Sequence, residues 1–110
     1  MYVWSATPID EAPELRLARW SVREVLPRWT RHLVGFNLTE DEGRVSSALT
    51  AYDPRSRRAV TESGRMYELV GRPGHDSDAE YVWRAWLRLL GEVTWHDVTD
   101  DYVPKVAGGD

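Results

Sequence analysis

The chain has no cysteine among its 110 residues, which excludes a disulfide framework, a thiolate nucleophile, Cys-ligated zinc and an iron-sulfur cluster together. Long apolar runs are missing too. No stretch approaches the roughly 18 residues that a membrane-spanning helix requires, and Met1-Tyr2-Val3-Trp4-Ser5-Ala6 has neither the basic start nor the apolar core of a secretory signal. The expectation is a soluble, cytoplasmic protein. Lysine is almost absent: thirteen arginines stand against Lys105 alone, a bias that a GC-rich coding sequence imposes and therefore a poor guide to mechanism. Nor is positive charge in excess, since the formal net charge is -4 and a dedicated duplex-DNA binder needs a basic surface to neutralise phosphates. Chemical signatures are lacking as well, with no Gly-x-Ser-x-Gly elbow, P-loop, dinucleotide fingerprint or His-Glu-x-x-His pair. No catalytic residue, metal site or cofactor is expected, and an enzyme is the less favoured class.

What is present reads as one domain, because a chain of this length buries a single core without covalent staples. Residues 1–13, with Pro8, Pro13 and the acidic pair Asp10-Glu11, hold neither a period of 2 nor one of 3.6 and are expected to form an extended arm. A single domain is expected over 14–99, and a polar, Gly-rich, flexible tail over 100–110. From Glu14 to Val25, Ala18, Trp20 and Val22 alternate with Arg19, Ser21 and Arg23, the pattern of a half-buried strand. After Pro27 the alternation of His32, Val34, Phe36 and Leu38 gives a second strand, ended by Glu40-Asp41-Glu42-Gly43. Arg44–Tyr52 reads as a third strand. Beyond the turn Asp53-Pro54-Arg55-Ser56-Arg57, two short β-prone runs around Ser63-Gly64 make a hairpin. Glu92–Thr99 supplies the last strand.

One segment departs from this alternation. Ser77 and Glu80 have capping-box spacing, and Ala79, Val82, Trp83, Trp86, Leu87, Leu89 and Leu90 fall within an arc of about 160° on a helical wheel. Gly91 is the expected stop. The fold predicted is therefore α+β: an antiparallel β-meander sheet of five or six strands with one amphipathic helix packed across one face.

Four groups of residues are candidates for function. Trp20, Trp29, Trp83, Trp86 and Trp95 are expected first of all as core, since each buried indole contributes a few kcal/mol. On the outer helix face Glu80 and Arg84 have the spacing of a supporting ion pair. Tyr81, Arg84 and Arg88 share that face and are residue types enriched at the centres of protein interfaces, so they are the predicted interaction site. Arg55, Arg57, Arg58 and Arg65 bracket the hairpin and form the alternative, a weak nucleic-acid contact largely neutralised by Asp53, Glu62 and Glu68. A second alternative is a small hydrolase or metal-dependent enzyme around His75, Asp76 and Asp78, completed by His32 or His96. Its plainer reading is an acidic loop at a helix start. His32 is expected to be a satisfied, partly buried histidine, and His96 and Asp97 to face opposite ways along a strand.

The string Thr61-Glu62-Ser63-Gly64-Arg65-Met66-Tyr67-Glu68-Leu69-Val70-Gly71-Arg72-Pro73-Gly74, with His32-Leu33-Val34-Gly35 before it and Tyr81-Val82-Trp83 after it, resembles small bacterial proteins of prophage-like regions that have no assigned function. The resemblance implies an accessory, mobile-element origin and brings no activity, cofactor or site residue with it. The function expected is a non-catalytic protein-interaction module, binding a protein partner or a second copy of itself. The sequence names neither the partner, the pathway nor the oligomeric state.

Overall fold

The computed structural model describes residues 14–103; the expected arm over 1–13 and residues 104–110 of the expected tail lie outside them. The elements are β1 (Glu14–Leu26), β2 (Thr30–Asn37), β3 (Glu42–Val45), β4 (Leu49–Asp53), β5 (Arg58–Thr61), β6 (Met66–Val70), α1 (Ser77–Leu90), β7 (Thr94–Asp97) and a 3-10 turn at Thr99–Tyr102. No helix among the described residues is long and apolar enough to cross a membrane.

The sheet runs in the order β3-β2-β1-β6-β5-β4, so its two ends are consecutive in the chain. Laid flat, strands at the ends of such a sheet stand about 24 Å apart, whereas the link from Val45 to Leu49 reaches about 14 Å at most. The sheet must curl, and β4 does come against β2. The amide of Ser46 donates to the Leu33 carbonyl at 2.9 Å and that of Glu62 to the Ala48 carbonyl at 2.8 Å, tying the link to both sides.

This closure corrects the predicted meander. The single strand expected over Arg44–Tyr52 is bent at residues 46–48 and changes partner there, from β2 to β5. Because the bend is not a reversal, the antiparallel steps between β1 and β6 are even in number, and β6 returns parallel to β1, pairing Leu15 with Tyr67 and Leu17 with Leu69. The sheet is mixed rather than purely antiparallel.

β1 belongs to two layers. A bulge between Ala18 and Ser21 shifts its register, with Arg19 in the left-handed region at φ 47°. Leu15 and Leu17 before the bulge, and Trp20 and Val22 after it, therefore face one core together with Leu33, Ala59, Tyr67 and Leu69. Ala18, expected on the face of Trp20 and Val22, precedes the bulge, so the change of phase leaves it on the other face from them, where it is only partly buried. Gly35 makes the bulge possible: a Cβ there would meet the Ala18 carbonyl oxygen and the Leu17 Cγ at 2.9 Å.

The opposite face carries Val25, Val34 and Val45 and is covered by Ala79 and Trp83 of α1. The helix start sits directly on β3, since a Cβ on Gly43 would lie 2.5 Å from the Ala79 nitrogen. β6 covers only Glu14–Ala18 along one edge of β1, and β7 pairs with Arg23–Leu26 further along it. Between them the Gly74 and Val98 amides donate to the carbonyls of Trp20 and Val22 at 2.9 and 2.8 Å. The expected fraying from Asp100 is not seen as far as Val103: Thr99 is buried, its hydroxyl accepting from the Val22 amide at 3.0 Å, and Tyr102 packs edge-on against Tyr52 at 5.2 Å.

Candidate functional site

The start of α1 differs from the predicted capping box. Asp76, in extended conformation, is the cap, and its carboxylate accepts from the Ala79 amide at 3.0 Å. The same carboxylate accepts from Arg19 at 3.1 Å, so two structural partners occupy the central residue of the His75-Asp76-Asp78 cluster. His75 lies before the helix, whereas His32 packs against Trp86 near its far end with ring centroids 4.5 Å apart. His96 is elsewhere again, its Nε2 2.9 Å from Glu24. The three histidines do not share a pocket, and no group of three His, Cys, Asp or Glu residues among those described is placed to hold a metal ion.

Glu80, expected to pair with Arg84 and to close the cap, does neither. Its carboxylate crosses to the guanidinium of Arg23 on β1 in a two-pronged ion pair, because Arg23 is buried at 2 % exposure and no other carboxylate pairs with it. Arg84 and Arg88 consequently make no ion pair among the described residues. With Tyr81 they lie exposed on the outward side of the helix. Leu89, assigned by its wheel position to the buried stripe, joins them at 69 % exposure, against 65 % for Tyr81.

The hairpin arginines do not form one patch. Arg55 is exposed in the β4–β5 turn, Arg57 donates to the Gly71 carbonyl at 2.6 Å, and Arg58 pairs with Glu14 at 2.7 Å. Arg65 stands at the other end of β5 and is buried at 3 %. The expected basic cluster is thus divided between two ends of a strand and mostly consumed by structural contacts.

The two flanks of α1 differ in kind. On the side of β7, the Arg23 guanidinium lies 5.1 Å from the ring centre of Trp83 and 4.8 Å from that of Trp95, a buried cation held between indoles. The Arg23 hydrogen bond holds the Glu80 carboxyl below its ordinary range. Arg23 Nε, Ser21 Oγ and Trp83 Nε1 remain without partners in this layer.

On the other flank a cleft of about 760 Å³ opens, lined among others by Arg28, His32, Glu62, Trp86 and Leu90. His32 forms its floor. The ring nitrogen Nδ1 lies 3.0 Å from the Ser46 carbonyl and therefore carries the proton, leaving Nε2 to accept from the Thr30 hydroxyl at 2.8 Å. Burial holds this imidazole below its ordinary value, so the neutral ring is the resting form. The order hydroxyl, imidazole, carbonyl has the connectivity of an activated nucleophile, and it equally satisfies a buried histidine, as expected for His32.

Of the tryptophans expected as core, Trp20 and Trp83 are buried, Trp86 is partly covered, and Trp95 and Trp29 are exposed at 41 % and 71 %. Sequence reasoning missed Arg23 as a buried cation and the placing of Arg28 and Glu62 around one cleft. Arg23 sits at a position that alternation assigns to solvent, and the cleft arises only from closure of the sheet. No family model, curated protein or solved structure matches the chain.

Proposed function

We propose that the protein is a non-catalytic interaction module that associates with a second copy of itself through the outward face of α1. One observation carries this reading: Tyr81 is left 65 % exposed on a helix face that starts at the acidic Asp78 and ends at the basic Arg88. Along that face run Asp78, Tyr81, Ala85 and Arg88, with Arg84 at the rim. An antiparallel helix pair with its two-fold axis at residue 83 sets Tyr81 on the partner's Ala85 and Asp78 against the partner's Arg88. A pattern that matches itself when reversed is what a symmetric interface requires, and a tyrosine seated on an alanine beside an arginine is a composition that interfaces favour. This accords with the accessory role that the resemblance to prophage-region proteins implies.

Light scattering behind size exclusion tests it. The expected result is a concentration-dependent dimer that Tyr81→Ala with Arg84→Ala and Arg88→Ala converts to monomer. Arg88→Asp alone weakens the dimer and Asp78→Lys in the same chain restores it, because the end pair is then reversed rather than lost. A monomer at every concentration overturns the proposal, as does a dimer indifferent to the triple substitution.

A further inference from the structure

The cleft beneath Trp86 lies on the flank of α1 away from β7, apart from the outward face used for self-association, and its charges are unspent. Glu62 is exposed on the β5–β6 turn, where its amide anchors it to the Ala48 carbonyl at 2.8 Å. Arg28 is exposed on the β1–β2 turn. Neither makes an ion pair among the described residues, although both line one cleft. They act on His32 in opposite senses, Glu62 favouring its charged form and Arg28 opposing it, so both fields reach the cleft floor. Between them the floor is a neutral imidazole with both nitrogens occupied, and one wall is the apolar surface of Trp86 and Leu90. The other wall carries hydroxyls, with Ser47 Oγ donating to Ser63 Oγ at 3.0 Å.

We infer that this cleft binds a small zwitterion of amino-acid or dipeptide size, with its carboxylate on Arg28, its ammonium on Glu62 and an apolar side chain against Trp86 and Leu90. A guanidinium recognises a carboxylate through paired donors, an ammonium is drawn to both a carboxylate and an indole face, and the volume is that of an ordinary small-molecule site. A ligand bearing one charge satisfies only one side. An uncharged one leaves both solvated and gains only the apolar wall. The Trp86 indole is packed against His32 and Trp83, with ring centroids 4.5 and 5.2 Å apart, contacts that lower the cost of ordering it on binding.

The test is a titration followed by amide chemical shifts, using L-leucine and L-leucyl-L-leucine as probes and their N-acetylated and C-amidated forms as controls. At least one zwitterion is expected to move the signals of Thr30, His32, Ser47 and Trp86. Blocking either end weakens binding by about tenfold or more, the usual loss when a charged hydrogen-bonding partner is removed. Arg28→Glu and Glu62→Arg each abolish it. The two together restore it, since the ligand binds reversed. Both side chains are exposed, and the free spectrum of each variant reports that the fold is kept. Absence of shifts with either zwitterion at millimolar concentration overturns the inference, as does equal affinity for the blocked forms or loss of binding that the double exchange fails to rescue. None of these outcomes depends on whether the chain dimerises.

Discussion

On the β7 flank of α1 the buried charge is matched: Arg23 enters the layer between two indoles and meets Glu80, and the cation is closed off at 2 % exposure. On the cleft flank the buried His32 is kept neutral, while the charges stand off at the rim as Arg28 and Glu62. The same helix supplies one tryptophan to each side, Trp83 to the closed flank and Trp86 to the open one. A buried ion pair is costly to assemble and fixes geometry, whereas opposed charges left in water around a neutral floor retain their capacity to bind. The closed flank positions the helix, and the open flank is the part free to take a ligand.

The largest expected contrast is between the two tryptophans. Trp83 is 1 % exposed and joins Val25, Val34 and Val45 to the helix, so Trp83→Ala is expected to cost about 4 kcal/mol, as large-to-small core substitutions do. Trp86→Ala removes a partly covered ring and costs about half as much, while emptying the apolar wall of the cleft. Urea unfolding of both variants measures the difference. Equal costs would mean that the flanks are not distinct layers.

The ion pair is expected to show an asymmetry of its own. Glu80→Gln strands a buried guanidinium, and because the Glu80 side chain keeps 26 % exposure the loss is about 2 kcal/mol, below the range for fully buried pairs. Arg23→Met leaves a carboxylate that can turn to water and costs about 1 kcal/mol or less. If Arg23→Met proves the more damaging in urea, the indoles rather than Glu80 hold the cation.

Much of this was legible from local pattern. The alternation in β1 and β2 and the apolar stripe of α1 are governed by neighbours in the chain, and these elements stand where the periods place them. The β character of residues 44–52 was legible too, but not their division into two strands with different partners at 46–48, because the alternation in the sequence runs through the bend. The parallel β1–β6 pair and the cleft both follow from that bend, so both were hidden with it. Arg23 was concealed differently: its position reads as solvent-facing in any half-buried strand, and only a carboxylate 57 positions later makes its burial tolerable. Tyr81, Arg84 and Arg88 were the simplest to place, since a helix wheel alone separates them from the sheet.

The smallest expected effect divides the flanks by pH. His32 is buried neutral, its folded value below the ordinary 6.5 mainly because burial penalises the imidazolium. The unfolded chain then binds the proton more readily than the folded one, so stability is full above pH 6.5 and declines as pH falls toward the folded value. Glu80 is also depressed, here because Arg23 donates to it, and its contribution is intact above its ordinary 4.5 and lost as pH drops through the folded value. The open flank should therefore weaken first on acidification, and the closed flank only at lower pH. Urea midpoints from pH 7 to 3 are expected to fall in two stages for the parent chain, with His32→Gln flattening the upper stage and Glu80→Gln flattening the lower. If His32→Gln and the parent decline together between pH 6.5 and 5, the imidazole accepts its proton without disturbing Ser46 or Thr30, and the cleft floor is not the rigid, neutral surface that its two hydrogen bonds describe.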